Sequence, residues 1–175
     1  MSQKTSSKIK PALSLLAYVG AAFLVAYLLF ERHPPSLPVG SLAPLDEKVS
    51  LLSGGKTSLR RYLRKPLVLN VWAGFCPACM REMPVLSRLA RRFGSRVTFL
   101  GAAFATSVDE IESIKEKFLL EYEQVKVADE FVDAWHARAL PTTYVIDRQG
   151  AIIWAHVGMA KEDELEEFLL QVLKP

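Results

Sequence analysis

The apolar and polar positions divide the chain into one long apolar run near the N-terminus and a larger segment of short alternating elements. Residues 11–30 are twenty consecutive uncharged positions, PALSLLAYVGAAFLVAYLLF. At about 1.5 Å per helical residue this run is roughly 30 Å long, which matches the hydrocarbon core of a bilayer. The pattern therefore predicts one transmembrane helix over residues 11–30.

The flanking charges predict the orientation of that helix. Lys4, Lys8 and Lys10 precede the run and no acidic residue does. Because positive charge stays on the cytoplasmic side, we expect residues 1–10 in the cytoplasm and the rest of the chain outside. The expected location is the inner (cytoplasmic) membrane of the cell, with a single pass and a periplasmic or other extracytoplasmic domain.

A cleaved signal peptide is the alternative to an anchor. Its apolar region is usually about 7–15 residues, shorter than this run. A small-x-small cleavage pattern occurs only inside the run, from Gly20 to Ala22, and cutting there would leave FLVAYLLF at the new N-terminus. The sequence therefore favours an uncleaved signal anchor.

The segment after the run is rich in proline. Residues 31–44 contain the stretch HPPSLPVGSLAP, which is typical of a stiff, extended linker. At about 3.1 Å per residue such a stretch reaches up to roughly 35 Å. The remaining residues, 45–175, are enough for one domain with its own core.

Within residues 45–175 the periodicity predicts a mixed α/β domain. The predicted strands are 49–52, 66–73, 97–104, 125–128, 143–147 and 151–157, with a hairpin turn at Gly54-Gly55, and the predicted helices are 58–64, 77–93, 107–120, 130–138 and 161–173. The runs 66–73 and 97–104 are nearly continuous and apolar, as in parallel strands covered on both faces. With the helix between them they predict a right-handed β-α-β unit, and the last two strands predict an antiparallel hairpin.

The charge distribution argues against a nucleic-acid ligand. The formal net charge is +3, but residues 31–175 carry 19 basic and 19 acidic residues. A neutral domain has no basic footprint for phosphate backbones. The basic excess belongs to the membrane topology, and we expect no nucleic-acid partner.

Cys76 and Cys79 are the only cysteines in the chain and form a C-P-A-C motif. Pro77 suits the first position of a helix, which places Cys76 at the N-cap beside free N–H groups. The positive end of the helix dipole lowers the pKa of such a thiol and favours the thiolate. Cys79 lies in the same turn and could resolve a mixed disulfide formed at Cys76. This arrangement predicts dithiol–disulfide exchange.

The cysteine pair has two alternative roles, a structural disulfide and a metal site. A purely structural disulfide closing this short loop would contribute only roughly 2 kcal/mol in the loop-entropy model. A structural zinc site needs four ligands, and His33, His136 and His156 are scattered along the chain. No metal site and no cofactor are predicted. The alternative that stays open is a metal-handling module that binds copper through the two thiols.

The segment WAGFCPACMREMPVL resembles the active site of the membrane-anchored TlpA/ResA-like thiol–disulfide oxidoreductases, whose usual pattern is close to W-A-x-W-C-P-x-C-x-x-E-x-P. The likeness extends over about residues 39–173 and includes ALPTTYVIDRQGAII. It implies a thioredoxin fold with an N-terminal β-hairpin extension and a central helix–strand insert. It also implies an extracytoplasmic reductase, of the cytochrome c maturation or disulfide-repair type, rather than an oxidant.

The resemblance also implies roles for single residues. Cys76 and Cys79 would form the redox-active disulfide, Pro141 would be cis and face the pair, and Glu82 would be a functional acid. The substrate groove would be lined by Trp72, Phe75, Pro77, Leu140 and Thr142. The implied partners are proteins with cysteine thiols or disulfides, and a membrane-embedded electron donor.

The sequence departs from the family pattern at the rim of this groove. Phe75 replaces the usual tryptophan before the first cysteine, and Gly74 replaces a commoner Thr or Ser. Leu140 stands before Pro141, in a segment where glycine is frequent. Glu82 lies three residues after Cys79 and so on the same helix face. The alternative for Glu82 is an exposed glutamate paired with Arg81 or another arginine.

Overall fold

Seven strands form one mixed sheet in the computed structural model of the protein, which describes residues 18–25 and 36–174. The strands are β1 (Lys48–Leu51), β2 (Lys56–Ser58), β3 (Leu67–Trp72), β4 (Thr98–Phe104), β5 (Glu123–Val127), β6 (Thr142–Ile146) and β7 (Ile152–Val157). The helices of the domain are α1 (Pro77–Phe93), α2 (Val108–Phe118), α3 (Asp129–Ala134) and α4 (Glu162–Val172), with a short 3-10 helix over Leu59–Tyr62.

The sheet order is β2-β1-β5-β4-β3-β6-β7. Strands β3 and β4 are parallel, as their continuous apolar runs predicted, and β5 is parallel to β4. The predicted β6–β7 hairpin is antiparallel. Strand β1 pairs with β2 and β5, so the N-terminal hairpin extends the sheet at one edge. The unit α2–β5 lies between β4 and this hairpin and is the predicted central insert. The predicted thioredoxin-like α/β fold is confirmed.

Two apolar cores lie on opposite faces of the sheet, and β3 contributes to both. Leu67, Leu69 and Val71 belong to the core that contains α3, whereas Val68 and Trp72 belong to the core that contains α1, α2 and α4. Successive strand residues point to opposite faces. Asn70 therefore faces α1, the helix that begins at the cysteine pair.

Several boundaries differ from those predicted. Helix 58–64 is only the 3-10 helix Leu59–Tyr62. Helix 130–138 is shorter, Asp129–Ala134, because His136 has a left-handed φ of 48° that ends the helical path. Strand β5 begins at Glu123, two residues earlier than predicted. Helix α1 has the predicted bounds.

The chain divides into two units, Met1–Pro34 and Pro35–Pro175. In the first unit residues 18–25 are helical and exposed. The predicted N-terminus 1–10 and most of the predicted span 11–30 lie outside the described residues. Within the described residues, no helix is both long enough and apolar enough to cross a membrane.

Residues 36–44, part of the predicted linker, contact the domain. The Gly40 N–H donates to the Ile152 carbonyl (2.8 Å), and the Ala43 N–H donates to the Gly150 carbonyl (2.9 Å). The Leu37 N–H donates to the Tyr144 hydroxyl (3.1 Å). These bonds hold the segment beside the edge strand β7. The backbone N–H and C=O groups of an extended stretch need hydrogen-bond partners, and the edge of the sheet provides some of them here.

Candidate active site

The cysteine pair lies at the N-terminus of α1, where Pro77 is the first helical residue and Cys76 is the N-cap. The two cysteines form a disulfide with their Cα atoms 5.3 Å apart. The Cys76 sulfur also accepts a hydrogen bond from the Cys79 N–H at 3.1 Å. Cys76 keeps 8% of its surface exposed and Cys79 only 1%. The N-cap cysteine is therefore the one that an incoming sulfur can reach.

Backbone contacts hold the loop that precedes the pair. The Gly74 N–H donates to the Thr106 hydroxyl (3.0 Å), and that hydroxyl donates to the Phe104 carbonyl (2.7 Å). The carboxylate of Glu110 lies against Gly74, because a Cβ at residue 74 would come within 2.0 Å of Glu110 Oε1. The glycine in place of Thr or Ser therefore makes room for the Glu110 side chain.

Glu82 is buried on the inner face of α1, one turn after Cys79, and only 1% of its surface is exposed. Its Oε2 accepts a hydrogen bond from the Asn70 side-chain amide (2.9 Å), and its Oε1 accepts one from the Ala160 N–H (2.8 Å). The alternative of an exposed glutamate paired with Arg81 is wrong. Position 82 belongs to the helix face that packs on the sheet.

Burial shifts the ionisation of Glu82. Loss of hydration raises the pKa of this carboxyl to about 7, while the hydrogen bonds from Ala160 and Asn70 oppose the shift. A carboxyl with a pKa near neutrality can both take up and release a proton at physiological pH. Glu82 is therefore a buried carboxyl that can exchange a proton near neutral pH, one helical turn after Cys79.

The loop around Pro141 is joined to the Glu82 carboxylate through the backbone. The Leu140–Pro141 peptide bond is cis, as the resemblance implied. The Gly158 N–H donates to the Pro141 carbonyl (2.8 Å), and Ala160, two residues later, donates to Glu82. Residues 158–160 therefore connect the proline loop to the acid beneath the cysteine pair.

The predicted groove residues divide into two groups. Phe75 is 68% exposed, Pro77 is exposed and Leu140 is half-buried. Trp72 and Thr142 were predicted beside them, but both side chains are fully buried and do not line the surface. Trp72 faces the core under α1 and donates its indole N–H to Gln124 Oε1 (3.0 Å), and the Thr142 hydroxyl donates to the Ala139 carbonyl (2.5 Å).

Sequence reasoning missed four residues that support the site. The predicted site residues did not include Asn70, Thr106, Thr143 or Ala160. Ala160 acts through its backbone N–H, so its side chain carries no signal. The sequence of β3 could have identified Asn70. All six residues of this strand are buried, and Asn70 is the one among them with an amide side chain.

Metal-binding side chains are not clustered in the described part of the chain. There, no group of three or more His, Cys, Asp or Glu residues is placed to hold a metal ion. The two cysteine sulfurs that copper would use are joined to each other in this structure.

Residues 39–155 match the model of the AhpC/TSA family. The chain belongs to this family. It is 28% identical over 159 residues to the thioredoxin-like protein YneN of Bacillus subtilis, covering 89% of this chain and 92% of that protein. It is 30% identical over 129 residues to the thiol-disulfide oxidoreductase ResA of Halalkalibacterium halodurans, covering 71% of each.

The chain is also similar to a solved structure. That structure is of a secreted Mycobacterium tuberculosis disulfide oxidoreductase, homologous to Escherichia coli DsbE. The likeness has a TM-score of 0.64 and 25% identity, and it covers 72% of this chain and 96% of the other. With the CxxC disulfide at the start of α1, these relatives identify the protein as an enzyme, a thiol–disulfide oxidoreductase of the thioredoxin superfamily.

Proposed function

We propose that the protein is an extracytoplasmic reductase of protein disulfides, in which Cys76 attacks and Cys79 resolves. The observation that carries the assignment of roles is the unequal exposure of the two sulfurs at the start of α1. The direction of electron flow rests on the resemblance to TlpA/ResA-like reductases. Cytochrome c maturation or disulfide repair is the corresponding cellular role.

The first step joins the enzyme to its client. The Cys76 thiolate attacks one sulfur of a client disulfide, an enzyme–client disulfide forms, and the other client sulfur leaves as a thiolate. The first turn of α1 carries no acidic residue that would oppose negative charge on Cys76. Phe75, Pro77 and the Leu140–Pro141 loop form the rim against which the client strand would lie.

The second step releases the client. Cys79 loses its proton and attacks the Cys76 sulfur, the mixed disulfide breaks, and the second client sulfur leaves as a thiolate. The client has gained two electrons and the enzyme carries the Cys76–Cys79 disulfide seen here. A dithiol donor embedded in the membrane would then reduce this disulfide for the next cycle.

Glu82 is the proposed proton acceptor for Cys79. It lies one turn from Cys79 on the same buried face, and its pKa of about 7 lets it be ionised in a large fraction of molecules at neutral pH. A negative charge at this place also opposes thiolate formation nearby. Glu82→Gln should therefore lower the pKa of the cysteines and at the same time slow resolution by Cys79.

The proposed cellular setting comes from the N-terminal sequence. The uncharged run 11–30 with three lysines before it supports a single-pass anchor in the inner membrane, with residues 1–10 in the cytoplasm. The catalytic domain would then lie in the periplasm or an equivalent extracytoplasmic space. There it would meet proteins that carry disulfides.

The roles of the two cysteines can be tested by trapping. Cys79→Ser removes the resolving thiol, so we expect mixed disulfides with clients to accumulate on non-reducing gels. Cys76→Ser leaves only the buried thiol and should trap none. Both variants should lose disulfide reductase turnover by more than about 100-fold, since each of the two exchange steps requires its own thiol. Equal trapping by the two variants would contradict the assignment.

A further inference from the structure

Asn70 is a buried amide that contacts the acid of the site. It lies on β3, faces α1 and has 2% of its surface exposed. Its side-chain nitrogen donates two hydrogen bonds, one to Glu82 Oε2 and one to the Thr143 hydroxyl, both at 2.9 Å. Thr143 lies on β6, two residues after Pro141. A single amide group therefore joins three elements of the site.

The orientation of this amide leaves one of its own atoms unsatisfied. Within the described residues, the buried Asn70 Oδ1 has no hydrogen-bond partner. A buried carbonyl oxygen without a partner costs about 1–3 kcal/mol. An apolar side chain on β3 would avoid that cost. The N–H donated to Glu82 offsets this cost more strongly when Glu82 carries a negative charge, because the bond is then charge-assisted.

We propose that Asn70 is a positioning residue for Glu82, holding the carboxylate in its ionised form with one free lone pair on each oxygen. The Ala160 N–H occupies one lone pair of Oε1, and the Asn70 amide occupies one lone pair of Oε2. The lone pairs that remain are then available for the proton of Cys79. This inference rests on the proposed role of Glu82 as the proton acceptor.

The electrostatic surroundings of Glu82 allow the Asn70 amide to influence its ionisation. In the described part of the chain, no charged side chain makes a hydrogen bond or ion pair with Glu82, so its ionisation depends on burial and on two neutral donors. Tyr122, the residue before β5, is a titratable group whose pKa is raised by the charge of Glu82. Burial raises the pKa of Tyr122 well above its usual value, so its hydroxyl stays neutral. Removing one donor should therefore raise the pKa of Glu82 further.

The test uses Asn70→Leu, which keeps the number of side-chain heavy atoms and removes the amide that donates to Glu82 and to Thr143. The pKa of Glu82 is measured by carbon-13 NMR of the oxidised protein labelled at glutamate carboxyls, with Glu82→Gln identifying the signal. We expect the Glu82 pKa to rise by about one unit, which lowers its ionised fraction at pH 7 about fivefold. The rising limb of the pH–rate profile for client release should move to higher pH by the same amount.

Two controls separate positioning from a general packing defect. Ser87→Ala removes another buried hydrogen bond of α1, from the Ser87 hydroxyl to the Leu119 carbonyl, and should leave the Glu82 titration unchanged. Thr143→Val keeps the Asn70 donor to Glu82 and should produce a smaller shift than Asn70→Leu. If Asn70→Leu does not fold, Asn70→Ser is measured instead, because its side chain is too short to reach Glu82.

The outcomes distinguish this inference from the proposed function. An unchanged Glu82 pKa in a folded Asn70 variant would overturn the positioning role. A raised Glu82 pKa with an unshifted pH–rate profile would support control of Glu82 by Asn70 and overturn Glu82 as the proton acceptor. A shift in both measurements supports the inference and the proposed role together.

Discussion

At the residue scale, Glu82 is a carboxyl held where water cannot solvate it. Two neutral donors, the Asn70 amide and the Ala160 N–H, replace part of its hydration. They do not replace all of it, and burial remains the largest influence on its pKa. The folded protein therefore binds the Glu82 proton more tightly than the unfolded chain does. This difference makes the free energy of unfolding depend on pH.

The first prediction concerns the pH dependence of unfolding. The folded pKa of Glu82 is raised from 4.5 to about 7, so its contribution to stability is fully present below about pH 4.5 and declines as the pH rises to about 7. The decline should amount to about 3 kcal/mol, at 1.36 kcal/mol per unit. Urea unfolding of the oxidised protein between pH 4.5 and 8 should show it.

The variant Glu82→Gln should lack this decline, because an amide does not titrate. Glu116→Gln, the same change at an exposed position of α2, should follow the wild-type protein across the range. Parallel curves for Glu82→Gln and the wild type would show that Glu82 is not the group responsible.

At the element scale, β3 and β4 support the site. Their side chains alternate between the two cores, so every second residue packs beneath α1. Gly101 on β4 lies opposite Asn70 in the parallel register, and its missing side chain makes room for the Gln124 amide. That amide in turn accepts the indole N–H of Trp72 at the end of β3. The packing of these strands therefore depends on a glycine that the backbone conformation does not itself require.

Gly101→Ala should disrupt this arrangement. The added Cβ would lie 1.8 Å from Gln124 Oε1, so the amide must move and the Trp72 hydrogen bond must break. We expect a loss of about 1–3 kcal/mol in the free energy of unfolding and a change in tryptophan fluorescence. The double variant Gly101→Ala with Gln124→Ala should lose less than the sum of the two single variants. Additive losses would contradict the proposed clash.

At the scale of the whole molecule, the charge is divided unevenly along the chain. The net charge of +3 comes from Lys4, Lys8 and Lys10, while residues 31–175 are neutral. A neutral domain has no general attraction for polyanions. The exposed Phe75 beside Cys76 is the most apolar surface at the candidate site.

The proposed membrane anchor gives a prediction at the same scale. Full-length protein should resist alkaline extraction from membranes, and protease added to the outer face should digest the domain. Replacing Lys4, Lys8 and Lys10 with Glu should reduce the fraction of domains reached by that protease, because the orienting charge is reversed. A soluble protein with a trimmed N-terminus would refute the anchor.

The features that the sequence determined are those carried by short-range patterns. Neighbouring residues alone account for the apolar runs of β3 and β4 and for the start of α1 at Pro77. They also account for the helix cap at Ser107, whose hydroxyl accepts a hydrogen bond from the Glu110 N–H at 3.2 Å. The C-P-A-C motif predicted the redox pair, because proline at the first helical position and cysteine at the N-cap is itself a local arrangement.

Only the tertiary structure decided how distant residues share one buried space. The spacing placed Glu82 on the face of Cys79, but its burial and its bonds to Asn70 and Ala160 depend on contacts 12 and 78 residues apart. The same is true of Trp72, predicted in the groove and buried instead, and of residues 36–44, predicted as a linker and bonded to the domain. Burial and hydrogen-bond partners belong to the packed chain, so local patterns of residues do not specify them.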